Sequence, residues 1–205
     1  MLNITCEDNM DLMARYSDKH FDLAIVDPPY GIERFKNGIG KNDRHKVKSN
    51  SDFNNGVPTS EYWEELFRVS KNQIVWGANN FVMPISEYFC IWNKKQTVDN
   101  FASAEYAWVS MGLKKPAKVF DYGIHLHNHT DKIHPTQKPV DLYKWLLKNY
   151  AKDGELILDT HLGSGSIAIA CHDYNFNLTA CELSEKHYTD AMKRINQHIS
   201  QTKLF

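Results

Sequence analysis

The chain has 205 residues, a formal net charge of −1, 42% hydrophobic and 24% charged residues, enough for a sizeable buried core and the size of one domain. A charge so close to zero excludes a chain that is basic throughout, so any surface for nucleic acid has to be local. Four scattered cysteines (Cys6, Cys90, Cys171, Cys181), none in a CxxC pair, exclude a disulfide frame or a zinc knuckle. The opening MLNITCEDNM lacks the basic start and apolar stretch of a secretory signal, and no apolar run reaches membrane-spanning length. A cytoplasmic protein without membrane contact is the expectation.

Short apolar runs alternate with segments of helical period, the pattern of an α/β sheet protein. A strand is expected over Leu2–Cys6, then a helix capped by Asp8 that carries Met10, Met13 and Tyr16 inward, then a strand over Asp22–Val26. Residues 33–58 break the pattern: they are polar, rich in Gly and Asn, and hold Arg34, Lys36, Lys41, Arg44, Lys46 and Lys48. A loop that long inside a compact domain is usually functional or disordered. Trp63, Leu66 and Phe67 fall at i, i+3, i+4 of a helix. Strands follow over Gln73–Trp76, Tyr88–Trp92 and Glu105–Val109, and a second irregular stretch covers Gly112–Lys132. Pro139 suits the first position of a helix that keeps Leu142, Trp145 and Leu146 on one face. Strands over Leu156–Leu158 and Leu178–Cys181 bring the total to seven, and Tyr188, Met192, Ile195 and Ile199 stripe the last helix. With no internal repeat and no linker, residues 1–205 read as one domain.

Three motifs carry chemistry. Asp27-Pro28-Pro29-Tyr30 directly follows the strand FDLAIV. An exocyclic amine on a base is a poor nucleophile, because its lone pair is delocalised into the ring. Two acceptors, one for each N–H, return that pair to nitrogen, and the Asp27 carboxylate and the Pro28 carbonyl suit the task. Two prolines stiffen the backbone and remove N–H donors, and Tyr30 offers a flat face for a base extruded from a duplex. Alone, the tetrapeptide also fits a plain strand-ending turn. The second motif, Leu156 to Ser166, runs from a strand through Asp159, Thr160, His161, Gly163, Ser164 and Gly165 into a helix. Glycines let the backbone approach a ligand at a helix N-terminus, and Glu182, ending the next strand, suits a ribose. Gly163-x-Gly165-x-x-Ala168 equally satisfies the dinucleotide fingerprint, so this motif specifies only a nucleoside cofactor. The third, His134-Pro135-Thr136-Gln137-Lys138-Pro139, offers hydroxyl, amide and backbone N–H groups to a carboxylate; standing alone it is an ordinary helix-entry loop.

Together, DPPY, the Gly turn with its following acidic strand end, and HPTQKP resemble the amino-group DNA methyltransferases of the β arrangement, in which the catalytic motif precedes the cofactor motifs. The resemblance covers most of the chain, and IVWGANNF (74–81), FCIWNKK (89–95), FASAEYAWV (101–109) and ILDTHLGSGSIAIA (157–170) are similar to a phage- and prophage-associated subset. It implies a Rossmann-like class I methyltransferase fold, a mostly parallel seven-stranded sheet with helices on both faces and circularly permuted motif order. It implies S-adenosylmethionine as cofactor and DNA as partner, with a homodimer allowed but no interface identifiable. Asp27, Pro28, Pro29 and Tyr30 would form the catalytic set. Asp159, Gly163 and Gly165 would wrap the cofactor's methionine part, Glu182 its ribose and Asp8 its adenine, with His161 and Ser164 also at the cofactor and Thr136, Gln137 and Lys138 at or beside the methionine carboxylate. Joining the chain ends in thought puts the strands ending at Asp159, Glu182, Asp8 and Asp27 in sequence, so four carboxylates should share one rim. The chain departs from the family at His161, where many members carry a phenylalanine that walls the cofactor. It also leaves only 112–133 as a short target-recognition segment.

A run of charge is usually a solvated loop. Its position after the tyrosine makes Lys41, Arg44, Lys46 and Lys48 candidates for DNA phosphate contact. His125, His127 and His129 would share a face if extended, but methyl transfer needs no metal and none is expected. The tryptophans read as core, with Trp76 the one that would line a base pocket. An opening Asp favours N6 of adenine, since cytosine-N4 enzymes of this family tend to open the tetrapeptide with Ser. A nicotinamide oxidoreductase would leave DPPY and HPTQKP unexplained, and a decayed methylase that only binds DNA is opposed by the intact motifs.

Overall fold

The structure, a computed structural model, describes residues 1–31, 56–99, 101–128, 132–134 and 136–201. Eight strands form one sheet: β1 Leu2–Cys6, β2 Phe21–Val26, β3 Ser70–Trp76, β4 Phe89–Asn93, β5 Ala104–Val109, β6 Lys118–Asp121, β7 Leu156–Asp159 and β8 Asn177–Glu182. Their order is β1-β8-β7-β2-β3-β5-β4-β6. Every neighbouring pair is parallel except those made by β5, which runs antiparallel to both β3 and β4. Helices are α1 Asn9–Ala14, α2 Ser60–Val69, α3 Ile124–Asn128, α4 Val140–Tyr150, α5 Ser166–Asp173 and α6 Glu185–Ser200.

The central strands are apolar on both faces because helices cover both. On β2, Leu23 and Ile25 join the core built with Leu142, Leu146 and Leu147 of α4, Ile167 of α5 and Ile195 of α6. The alternate residues Ala24 and Val26 join the core built with Leu12 and Met13 of α1 and Tyr62, Leu66 and Val69 of α2. Each fully buried Leu or Ile contributes about 1.5–3 kcal/mol, so the two layers hold the rim of the sheet rigidly. Asp8 caps α1 as expected, its side chain accepting from the Met10 amide at 2.7 Å.

Four expectations are corrected. The sheet has eight strands, not seven: Lys118–Asp121, inside the stretch read as irregular, pairs in parallel with β4 at the sheet edge. Its side chains are exposed or half-buried, so no apolar run marks it. Residues 124–128 are helical rather than extended, so the strand alternation that would align His125 with His127 does not apply, and His129 lies outside the described residues. Pro139 is the N-cap of α4, with ψ of 143°, one position before the first helical residue. Trp76 is fully buried under the sheet rim, packed with Leu23, Ile74 and Trp92, and does not line the cavity described below. Most of the basic loop, with Lys41, Arg44, Lys46 and Lys48, lies outside the described residues.

Candidate functional site

The strand order separates β1 from β2 by the last two strands of the chain, β7 and β8. With Cys6 beside Glu182 and Asp159 beside Ala180, the carboxyl ends of all four strands meet at one rim. Asp8, Asp27, Asp159 and Glu182 stand there, as the permuted motif order requires. A cavity of roughly 640 Å³ opens over the rim, within the usual size of a small-molecule site. Asp8, Asp27, Pro28, Pro29, Tyr30, Thr136, Gln137, Lys138, His161, Gly163, Ser164 and Glu182 all line it. Asp159 and Gly165 lie just beneath the lining, both buried.

The Gly turn is held from three sides. The Gly163 amide donates to Glu182 Oε2 at 2.9 Å, the Leu162 amide to the Cys181 carbonyl, and Arg194 of α6 donates to the Ser164 carbonyl at 2.8 Å. Gly163 and Gly165 have φ of 54° and 74°, the left-handed region that only glycine enters without strain. A Cβ on Gly165 would lie 2.7 Å from Ile195 Cδ1, whereas on Gly163 it would meet only the His161 carbonyl, at 3.8 Å. Both glycines are therefore required by the turn, and at Gly165 a side chain would in addition press on Ile195. Glu182 is fixed by two backbone donors, Gly163 and Ser184, the latter at 3.0 Å.

Burial drives the Asp159 carboxyl up to about 8, with the neighbouring charges of Asp27 and Glu182 adding to the shift and the His161 amide opposing it. An acid in that state is one that a cation entering the cavity would ionise. His161 stays neutral, pulled down to about 4 by burial. Asn9 Nδ2 faces its Nε2 at 3.2 Å, which leaves the proton on Nδ1, 2.9 Å from Thr160 Oγ1. Thr160 in turn contacts the Tyr62 hydroxyl at 2.7 Å, so the ring is a fixed wall. His134 is also held down to about 4, by burial first and then by His187, Lys138 and Lys186.

At the other side of the cavity the Tyr30 hydroxyl donates to Asp27 Oδ1 and the Lys138 ammonium to Asp27 Oδ2. Lys138 also pairs with Glu105 at 3.2 Å. Burial alone would strip the Lys138 proton, but Asp27 and Glu105 outweigh it and hold the amine charged. Burial likewise pushes Glu105 up, yet Lys138 and Lys94 bring it down to about 2. Tyr30 packs directly over Gly77, where a Cβ would lie 2.1 Å from its ring. Sequence reasoning put Lys138 beside a ligand carboxylate and did not single out Glu105. A lone acid in the apolar strand AEYAWV was the available signal.

A family model described as DNA methylase, of the N6/N4 class, matches residues 45–193. The chain is 23% identical to the Type II methyltransferase M.HpaI of Haemophilus parainfluenzae, over 96% of this chain and 75% of that protein. It is 24% identical to the Type II methyltransferase M.BglII of Bacillus subtilis, over 92% and 67% respectively. Among solved structures, the M1.HpyAVI–SAM complex superposes with a TM-score of 0.63 at 16% identity, over 95% of this chain and 100% of that one. The cytosine-N4-specific PvuII DNA methyltransferase gives 0.61 at 11% identity, over 96% and 90%. These structural likenesses establish the fold.

Proposed function

The chain belongs to the N6/N4 DNA methylase family, and from that premise we propose that it uses S-adenosylmethionine to methylate N6 of adenine in DNA, by direct transfer to a base turned out of the duplex. The observation that carries the reading is Asp27 and the Gly163 turn opening on one cavity. The residues there suit this cofactor. Asp159, driven up to about 8 among other acids, calls for a cationic ligand group, and the ligand carries an ammonium and a sulfonium. Gly163 leaves open space where any side chain would intrude, and Glu182 holds an acceptor at the end of β8 for a ribose. Asp8 suits the adenine, and Thr136 and Gln137 the methionine carboxylate. When bound, the cofactor would supply an electrophilic methyl on its sulfonium and be left as the neutral thioether, with the proton lost from the amine passing to Asp27 or to water.

The protein's own contribution is to orient and to polarise. Asp27 and the Pro28 carbonyl accept the two hydrogens of the target amine, which localises its lone pair and stabilises the positive charge that develops on nitrogen. Tyr30 provides the face on which the extruded base stacks. Holding nitrogen about 3 Å from the methyl carbon supplies the remaining acceleration by proximity. Asp27→Ala is expected to bind S-adenosylmethionine normally and to lose methyl transfer by at least ~10²-fold in a radiolabelled assay on mixed-sequence DNA. A near-normal rate would remove Asp27 from the mechanism. Nucleoside analysis of the product separates N6-methyladenine from N4-methylcytosine; Asp27 at the head of the tetrapeptide favours adenine.

A further inference from the structure

Among the described strands, β5 alone runs against its neighbours in the sheet. Its beginning, not its end, therefore lies at the rim where the ligand-facing carboxylates gather. Glu105, the second residue of β5, is brought there beside Trp92 of β4. A row of alternating charge results. Asp27 meets Lys138, Lys138 meets Glu105 Oε2 at 3.2 Å, and Glu105 Oε1 meets Lys94 at 2.6 Å. The Lys138 side chain is 3% exposed, those of Asp27 and Lys94 each 16%, and that of Glu105 27%, so the ammonium is the most shielded member of the row. Indole faces lie below it: the Lys138 ammonium is 5.6 Å from the Trp76 ring centre and that of Lys94 is 5.0 Å from Trp92. Burying such an amine costs folding free energy that a methionine of similar shape would not. What the methionine would lack is a charge against Asp27.

We propose that Lys138 and Glu105 are positioning residues for Asp27: the ammonium shared between the two carboxylates fixes the orientation of Asp27, and Glu105 draws off enough of that charge to leave Asp27 a good acceptor for the target amine. An ammonium facing Asp27 alone would clamp it but weaken it as an acceptor. Two carboxylates without the ammonium would repel each other and leave Asp27 anchored through Oδ1 only, by the Tyr30 hydroxyl. The inference rests on the reading of Asp27 as the amine acceptor. It differs from a role for Lys138 at the cofactor carboxylate, because the ammonium is already engaged by two acids. The groups that face Asp27 are Tyr30 from its own turn, Lys138 before α4, Tyr143 of α4 and Asp159 of β7, with Glu105 and Lys94 behind Lys138.

The test compares Glu105→Gln and Lys138→Met in the full chain, measuring cofactor Kd, DNA KM, kcat and the pH profile of kcat. Glu105→Gln leaves the whole ammonium charge on Asp27. Its kcat is expected to fall about 10- to 100-fold with cofactor Kd nearly unchanged, and the acid limb of kcat to move to lower pH. Lys138→Met takes the ammonium from Asp27 while Lys94 still pairs with Glu105, so its acid limb moves to higher pH. Lys138→Arg, which can also bridge two carboxylates, recovers most of the rate. Limbs that do not move, or move the same way, overturn the proposal. So does a Lys138→Met variant whose loss lies mainly in cofactor Kd. If Lys138→Met does not fold, Glu105→Gln decides alone. If the wild-type protein transfers no methyl group to DNA, the functional reading falls, and the ¹⁵Nζ resonance of Lys138 then tests the pairing. It is expected to shift in both Asp27→Asn and Glu105→Gln, and an unmoved resonance in Glu105→Gln rejects the shared ammonium.

Discussion

Asp159 is an acid held under electrostatic strain at the rim. Its carboxyl is raised from an ordinary value of 3.8 to about 8, by burial and then by its acidic neighbours. Below pH ~4 both folded and unfolded chains hold this proton, and the group does not change stability with pH. Between ~4 and ~8 only the folded chain holds it, so stability falls as pH rises, and the loss is complete above ~8. Asp159→Asn, neutral throughout, is therefore expected to gain melting temperature over the wild type steadily from pH 5 to pH 8; a gain independent of pH would contradict the assignment. Gly77 presents a steric counterpart. Its φ is 66°, and a Cβ would sit 2.1 Å from Tyr30 Cε1, so Gly77→Ala must displace the tyrosine ring. Cofactor affinity should survive while methyl transfer drops about 10²-fold, the usual cost of an ~1 Å misplacement. Equal losses of both would point to general collapse of the rim.

At the scale of elements, α1 shows how one residue serves two purposes. Asp8 caps the helix through the Met10 amide and also lines the cavity. Asp8→Asn keeps a capping acceptor and should melt with the wild type, whereas Asp8→Ala should lose about 1 kcal/mol. Both should weaken cofactor binding, and isothermal titration of the two variants separates cap from ligand contact. Elements with continuous apolar runs or a capped stripe, such as β2, β7 and α6, were legible in the sequence because burial on one or both faces writes itself into residue type. β6 was not, since an edge strand with half-exposed side chains carries no such signature. Of the cavity lining, the residues of DPPY and the Gly turn were legible through the family resemblance that the motifs carry together, each motif alone being ambiguous. The Lys138–Glu105 pair was not, because it joins residues 33 positions apart through the reversed direction of β5, which only the folded sheet reveals. The Asn9–His161–Thr160–Tyr62 chain was hidden for the same reason, its members being scattered along the sequence.

For the molecule as a whole, a net charge of −1 gives no overall attraction to a polyanion. Affinity for DNA then has to arise from local cations, and Lys41, Arg44, Lys46 and Lys48 are the proposed ones. Neutralising all four should flatten the dependence of log K on log salt by up to ~0.9 for each phosphate they neutralise in the wild type; an unchanged slope would exclude them. The strand order has another consequence, felt during synthesis. β1 and β2 leave the ribosome well before β7 and β8, yet in the finished sheet β7 and β8 hold them apart. In a nascent chain β2 can pair with β3 on one side only, and among the described strands β1 has no partner to pair with until β8, ending at Glu182, has been made. Such distant pairings form slowly and leave apolar strand faces uncovered in the meantime, so translation pauses between β3 and β8 would lengthen the interval in which chaperones must shield the half-made sheet.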